Sequence, residues 1–169
     1  QIAAHFANLG FEVVMFDTSH EALSKSLNMM KKLNPTPLAS QSVIGLIKTS
    51  TYDTMDILSK CDFIIESVVE NLDIKKQLFS NIAPYVNDDA VLVTNTSGLS
   101  IQKIAEYSPE SLRSRIFGVH FFNPPRYLPL VELIRTSFSD EKLLHKAEGF
   151  ITSALGKEVV YAKDSPAFI

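Results

Sequence analysis

The chain alternates short apolar-rich runs with segments in which apolar residues recur every three or four positions. The short runs predict strands at residues 11–16, 46–49, 63–66, 90–94, 115–121, 130–134 and 158–161. The recurring positions predict helices at residues 1–9, 20–33, 54–59, 73–82, 101–106 and 140–155. Strands and helices that alternate at this spacing are typical of an α/β domain with a largely parallel sheet.

Turn-forming residues separate several of these elements. Gly10 should end the first helix, and Ser19 is placed to cap the second. The sequence 34–37, Asn-Pro-Thr-Pro, should end that second helix, because proline disfavours helix at the residue before it. The nearly all-apolar run 63–66 is what a strand covered on both faces requires.

Composition narrows the class of protein. The 169 residues carry 16 Lys and Arg against 19 Asp and Glu, a net charge of −3, which argues against a general nucleic-acid binder. No apolar run reaches the roughly 18 residues that a membrane span needs. The single cysteine, Cys61, excludes an internal disulfide and a multi-cysteine metal site, and we predict no metal. The length favours one domain.

The first residues already have helical spacing, and no methionine precedes them. We therefore expect the chain to begin inside an element of a longer protein. The absence of a targeting signal at this N-terminus then says nothing about location.

Charged residues near predicted strand ends are candidate binding groups. Asp17 ends the first strand, where dinucleotide-binding folds place an acid that bonds the ribose hydroxyls, but it could equally begin a turn with Thr18. Glu70 and Lys75 follow the strand 63–66 and could reach a cofactor. Alternatively, Glu70 could cap the next helix and Lys75 could lie on that helix's solvated face. Spacing alone favours this second interpretation.

The cluster Asn95-Thr96-Ser97-Gly98 places hydroxyl and amide groups at the end of the next predicted strand, where a polar ligand would lie. The same residue types also form ordinary strand-to-helix loops, so both interpretations stay open. Ser97 is outside a Gly-x-Ser-x-Gly elbow, which argues against a hydrolase nucleophile.

His120 is the most informative single residue. It lies in an apolar strand that opens into a proline-containing loop, and twelve residues later Glu132 interrupts another apolar strand. A buried carboxylate is costly unless it is paired, so His120 and Glu132 are predicted to be partners. Such a pair orients a base and stabilises its protonated form, although a hydrogen-bonded core histidine is the more common case.

Four motifs in order resemble the NAD-binding domain of the L-3-hydroxyacyl-CoA dehydrogenases. They are Ile65-Glu66-Ser67-Val68-Val69-Glu70-Asn71, Asn95-Thr96-Ser97, His120-Phe121-Phe122-Asn123-Pro124 and Leu130-Val131-Glu132. Residues 156–169 are similar to the same family's link into its helical C-terminal domain. Residues 123–128 resemble most closely the bacterial fatty-acid-oxidation members, which can be fused to an enoyl-CoA hydratase domain.

The resemblance implies a Rossmann-type doubly wound, mostly parallel sheet and NAD-dependent oxidation of L-3-hydroxyacyl-CoA to 3-ketoacyl-CoA in fatty-acid β-oxidation. It implies that His120 is the catalytic base, that Glu132 orients it and that Ser97 holds the C3 oxygen. The residues implied to bind the cofactor are Asp17, Glu70, Lys75, Ser97 and Asn123. A carboxylate at position 17 favours NAD⁺ over NADP⁺, because it would repel a 2′-phosphate.

The resemblance also implies parts that the sequence lacks. The family's first strand and glycine-rich loop would precede Gln1, and its catalytic asparagine and helical domain would follow Ile169. We therefore expect residues 1–169 to be a fragment of an NAD-binding domain that is inactive alone. The complete protein is expected to form a homodimer through the helical domain. We expect it to be located in the bacterial cytoplasm. A mitochondrial or peroxisomal location stays open.

Two other functions compete with this one. The region between Leu33 and Leu46 is shorter than the family's helical hairpin, which keeps open a related dehydrogenase of a non-CoA hydroxy acid. The other alternative is a non-catalytic dinucleotide-binding domain of a multifunctional β-oxidation protein. An ion pair between Glu132 and an arginine such as Arg115 would favour that last interpretation.

Overall fold

The chain folds into two units in the computed structural model, which describes residues 1–165. The first unit consists of residues 1–55 and 122–129, and the second contains residues 56–121 and 130–165. The first unit is thus made of two segments that are far apart in sequence. Residues 166–169, the end of the segment 156–169 that is similar to the family's link, lie outside the described residues.

The first unit is a small parallel α/β arrangement. Its elements are α1 (Ile2–Asn8), β1 (Val13–Asp17), α2 (His20–Met30) and β2 (Ile47–Thr51). Strand β1 pairs in parallel with β2, with Val13 opposite Ile47 and Asp17 opposite Thr51. A buried apolar cluster fills the space beside this sheet; its members are Ala4, Ala7, Met30, Leu38 and Ile47.

The predicted helix boundaries of this unit have local causes. Helix α1 is followed by Gly10 at a φ of +89°, a backbone conformation that residues other than glycine rarely adopt. Ser19 caps α2 as predicted, and its Oγ accepts a hydrogen bond from the N–H of Ala22 at 3.1 Å. Helix α2 ends at Met30, three residues before the predicted end at residue 33.

Hydrogen bonds from distant side chains hold residues 36–39, which follow α2. The side chain of Asn8 donates to the carbonyl of Pro37 at 2.8 Å and accepts from the N–H of Ala39 at 2.8 Å. From residues 122–129, Arg126 donates to the carbonyls of Thr36 and Leu38, at 3.0 and 2.6 Å. The loop 122–129 is therefore anchored inside the first unit.

The second unit contains a five-stranded sheet. In spatial order its strands are β3 (Phe63–Glu66), β4 (Val91–Thr94), β5 (Ile116–Phe121), β6 (Leu130–Ile134) and β7 (Glu158–Tyr161). Neighbouring strands are parallel except β5 and β6, which are antiparallel. The helices of this unit are α3 (Leu72–Ile82), α4 (Ile101–Tyr107), α5 (Glu110–Arg113) and α6 (Glu141–Gly149).

The mostly parallel α/β fold predicted from the sequence is confirmed, and several details differ. The predicted helix 140–155 changes to a wider π-helical turn over Phe150–Ala154. Strand Phe63–Glu66 is less covered than predicted, since only Glu66 is buried and the other three residues are half-buried. The short helix Glu110–Arg113 was missing from the prediction, because four residues are too few to show a helical period.

Among residues 1–165, no helix is both long enough and apolar enough to cross a membrane. The same residues contain no group of three or more His, Cys, Asp and Glu side chains that could hold a metal ion.

Candidate functional site

Polar residues of the second unit gather where adjacent parallel strands end. Strands β3, β4 and β5 lie side by side and run in the same direction, so their carboxyl ends form one edge. Glu66 ends β3, Asn95 follows β4, and His120 is next to last in β5. This edge is where open α/β sheets bind their ligands.

His120 and Glu132 form a hydrogen-bonded pair. The antiparallel register of β5 and β6 places the two residues directly opposite each other, and His120 Nδ1 lies 2.5 Å from Glu132 Oε2. The Glu132 side chain is 1% exposed, whereas that of His120 is 21% exposed. The predicted pairing is confirmed, with the carboxylate buried behind an imidazole that reaches the surface.

Arg115 does not bind Glu132. Its guanidinium donates to the backbone carbonyl of Asn87 and lies 3.9 Å from the carboxylate of Asp88. The Arg115–Glu132 ion pair, which would have favoured a purely structural role for Glu132, is therefore not formed.

Glu70 binds the loop that follows β4. Its Oε1 accepts hydrogen bonds from the N–H groups of Ser97 and Gly98, at 2.7 and 3.3 Å, and its Oε2 accepts one from the Thr96 hydroxyl. The Ser97 hydroxyl lies 3.5 Å from Glu70 Oε1. The structure thus brings Ser97 and Glu70 together, as candidate residues of one site.

The alternative prediction that Glu70 caps the next helix is wrong. Asn71 caps α3, because its Oδ1 accepts from the N–H groups of Asp73 and Ile74 at 3.0 and 3.1 Å. An asparagine in the extended conformation satisfies those donors, which leaves the Glu70 side chain to reach the loop.

The surroundings of Glu70 favour its ionised form. Partial burial raises the pKa of the Glu70 carboxyl, but the hydrogen bonds from Thr96 and Ser97 and the charge of Lys75 outweigh burial and bring the pKa below its usual range. The Glu70 side chain is 43% exposed, so a ligand in solution can reach the carboxylate.

Lys75 is buried, so the prediction that it lies on a solvated helix face is wrong. Its side chain is 1% exposed, and its Nζ donates to both carboxylate oxygens of Glu66, at 2.7 and 2.8 Å. The same Nζ lies 3.6 Å from Glu70 Oε2. Lys75 therefore lies between the carboxylates of Glu66 and Glu70. Its contact with a cofactor stays a prediction.

Glu66 is a site residue that sequence reasoning missed. Besides Lys75, its carboxylate accepts hydrogen bonds from the Val68 N–H at 2.6 Å and from the Thr94 hydroxyl at 2.5 Å. Removing one partner of such a buried pair typically costs about 3–5 kcal/mol. The available signal was an acid that ends an apolar strand, nine residues before a lysine.

Asn95 is a second residue that lacked an individual prediction. Its side-chain Oδ1 accepts a hydrogen bond from the N–H of Phe121 at 3.0 Å, next to His120. Its own N–H donates to the carbonyl of Glu66 at 2.8 Å. Asn95 therefore fastens together the ends of β3, β4 and β5.

Asp17 and Asn123 belong to the first unit. Asp17 ends β1, and its Oδ1 accepts from the N–H and the hydroxyl of Thr18, at 2.7 and 3.2 Å, where the chain bends. Asn123 is exposed in the loop 122–129. The ligand-binding roles of both residues stay predictions.

Curated relatives and solved structures resemble the chain over nearly all of its length. The 3-hydroxybutyryl-CoA dehydrogenase of Mycobacterium tuberculosis is 36% identical over 177 residues, which cover 99% of this chain and 60% of the relative. The mitochondrial hydroxyacyl-coenzyme A dehydrogenase of Sus scrofa is 32% identical, covering 99% of this chain and 56% of the relative. The crystal structure of M. tuberculosis FadB2 matches with a TM-score of 0.87 at 32% identity, covering 99% of this chain and 61% of that one.

Several curated relatives are longer than this chain, which spans between 24% and 60% of their lengths. The family model described as "3-hydroxyacyl-CoA dehydrogenase, NAD binding domain" matches residues 1–165. On its sequence, its fold and this match, the chain belongs to the family of 3-hydroxyacyl-CoA dehydrogenase NAD-binding domains.

Proposed function

We propose that the protein carrying this chain oxidises L-3-hydroxyacyl-CoA to 3-ketoacyl-CoA with NAD⁺, as a step of fatty-acid β-oxidation. The observation that carries the proposal is the pair of His120 Nδ1 and Glu132 Oε2, 2.5 Å apart at the ligand-binding edge of the sheet. A histidine oriented by a buried carboxylate is well suited to act as a general base toward a hydroxyl group.

His120 takes the proton in this reaction. Because Nδ1 is held by Glu132, Nε2 is the ring nitrogen that accepts the proton of the C3 hydroxyl. The ring then becomes a cation, and the buried Glu132 carboxylate stabilises that cation across the 2.5 Å contact. Ser97 holds the C3 oxygen as its bonding changes.

NAD⁺, when bound, supplies the acceptor for the hydride that leaves C3. The residues present fit such a cofactor. Asp17 offers a half-buried carboxylate at the carboxyl end of β1, suited to ribose hydroxyls. The second unit offers the ionised Glu70 and the Ser97 hydroxyl, which suit polar groups of the nicotinamide half. Lys75 contributes by holding Glu70 in place.

Replacing His120 tests this proposal. In the complete protein, His120→Gln removes the base, so kcat with 3-hydroxybutyryl-CoA should fall by roughly 10²- to 10⁴-fold. NADH binding, followed by its fluorescence, should remain close to that of the wild type. His145→Gln is the matched control, because His145 is 71% exposed on α6 and should leave kcat unchanged. An unchanged kcat in the His120 variant would reject the proposal.

A comparison of substrates separates the competing functions. An acyl-CoA dehydrogenase should turn over 3-hydroxyacyl-CoA thioesters and leave free 3-hydroxy acids almost untouched. A dehydrogenase of non-CoA hydroxy acids would show the reverse preference. A non-catalytic dinucleotide-binding domain would bind NADH and oxidise neither class.

The complete protein is further proposed to contain a helical C-terminal domain, to form a homodimer through it and to act in the bacterial cytoplasm. The family resemblance supports these points, and the greater length of the relatives supports the further domain. Residues 1–169 alone should then bind the cofactor weakly and lack activity.

A further inference from the structure

Asp164 binds the start of helix α4. Its carboxylate accepts hydrogen bonds from the Ser100 hydroxyl at 2.7 Å and from the N–H groups of Ile101 and Gln102, both at 2.8 Å. These contacts join segments 62 to 64 residues apart in sequence. A carboxylate at this place also interacts favourably with the positive end of the helix dipole. The proposed reaction gives Asp164 no role.

The loop that carries Ser97 is therefore held by a carboxylate at each end. Glu70 accepts from the N–H groups of Ser97 and Gly98 near its start, and Asp164 accepts from Ser100 at its end. Both carboxylates come from other parts of the chain. The conformation of the loop thus depends on tertiary contacts as well as on its own sequence.

Helix α4 links this loop to the strand that carries His120. Ile101 is fully buried, and a Cβ atom placed on Gly118 would lie 2.8 Å from Ile101 Cγ1. The Ile101 side chain therefore packs directly on the backbone of β5, two residues before His120. A displacement of the first turn of α4 would change the positions of Ser97 and β5 together.

We propose that Asp164 is a positioning residue that fixes Ser97 relative to His120 by holding the first turn of α4. The inference rests on the proposed dehydrogenase function, in which Ser97 holds the substrate oxygen and His120 takes its proton. Displacing a reacting group by about 1 Å can cost on the order of 100-fold in rate.

Variants of Asp164 in the complete protein test this role. Asp164→Ala should lower kcat about 10- to 100-fold, with a smaller change in the KM for NAD⁺. Asp164→Asn keeps one oxygen acceptor and should restore part of the loss. The matched control is Asp140→Ala, because Asp140 caps a different helix, α6, with a hydrogen bond from the Leu143 N–H at 2.9 Å. This control should leave kcat unchanged.

Amide hydrogen exchange gives a readout that does not need activity. In Asp164→Ala, the amides of Ser97 and Gly98 should exchange at least about tenfold faster, although their own acceptor, Glu70, is intact. In Asp140→Ala they should exchange at the wild-type rate. Unchanged exchange at Ser97 and Gly98 in both Asp164 variants would overturn the proposal. A wild-type protein without dehydrogenase activity would reject the proposed function, while the exchange result would still test the hold of Asp164 on the loop.

Discussion

The pKa of the Glu70 carboxyl is set by opposing effects of burial and of nearby hydrogen-bond donors. Burial raises its pKa, but the hydrogen bonds from Thr96 and Ser97 and the charge of Lys75 lower it further than burial raises it. A carboxyl whose pKa is lower in the folded than in the unfolded state stabilises the fold above its unfolded pKa. That stabilisation is lost as the pH falls through the folded pKa.

We therefore expect Glu70 to stay ionised below the pH at which an ordinary glutamate takes up its proton, about 4.3. A carboxyl ¹³C NMR titration should give a midpoint below that value. The amide signals of Ser97 and Gly98, which Glu70 binds, should change over the same pH interval. In Glu70→Gln this transition should be missing. A midpoint at or above the ordinary value would contradict the prediction.

Residues differ in how far their roles can be predicted from the sequence. Glu132 lies between apolar neighbours that require burial, so its need for a partner, and His120 as that partner, could be predicted. Lys75 precedes Lys76 on a helix and looks solvated in sequence, yet it is buried against Glu66. That burial depends on a counter-ion from β3, and periodicity along one helix contains no information about other elements.

At the scale of elements, α4 packs closely on β5 at Gly118. A Cβ atom on Gly118 would lie 2.8 and 2.9 Å from side-chain atoms of Ile101 and 2.9 Å from Cβ of Ile134. Ile101 and Ile134 are both fully buried, so neither side chain has open space to move into.

Gly118→Ala should therefore destabilise the protein by about 1–3 kcal/mol, the usual cost of overpacking a core. Urea unfolding followed by circular dichroism measures the change. The matched control is Gly149→Ala at the end of α6, where an added Cβ meets no atom within 4 Å and φ is −60°. The control should be neutral or stabilising by up to about 1 kcal/mol. Equal stabilities of the two variants would refute this account of the contact.

Element type was predicted better than element direction. The predicted strands 63–66, 130–134 and 158–161 agree with β3, β6 and β7. The antiparallel direction of β6 was not predicted, because an apolar run has the same composition whichever way it pairs. The positions of helix ends depended on caps such as Ser19, which the sequence does show.

At the scale of the whole molecule, the two units differ in the size of their sheets. The first unit contains a two-stranded sheet whose β1 residues are all half-buried, and the second contains a five-stranded sheet whose β4 residues are all buried. A two-stranded sheet shares fewer backbone hydrogen bonds and buries fewer residues than a five-stranded one, so its strands open at a lower cost in free energy. Residues 122–129 belong to the first unit although they are far from its other residues in sequence. No local sequence pattern could predict that assignment.

For the 169-residue chain we expect local opening to begin in the first unit. Amides of β1 and β2 should exchange with solvent at least about tenfold faster than those of β4, because their opening costs less free energy. Hydrogen exchange resolved by NMR measures both sets in one sample. Strand β7 is the internal comparison, since it lies at the edge of the larger sheet and is mostly exposed. Equal rates in β1 and β4 would contradict the expectation.

The antiparallel register of β5 and β6 has an evolutionary consequence. Gly118 to Phe121 pair with Val131 to Ile134, and these backbone contacts alone place His120 opposite Glu132. The connecting residues 122–129 take no part in that pairing and belong to the other unit. Natural selection or a protein engineer can therefore change this loop in sequence and length while the pairing of His120 with Glu132 is inherited intact. On the proposed dehydrogenase function, substrate preference can then diverge without loss of the acid–base pair.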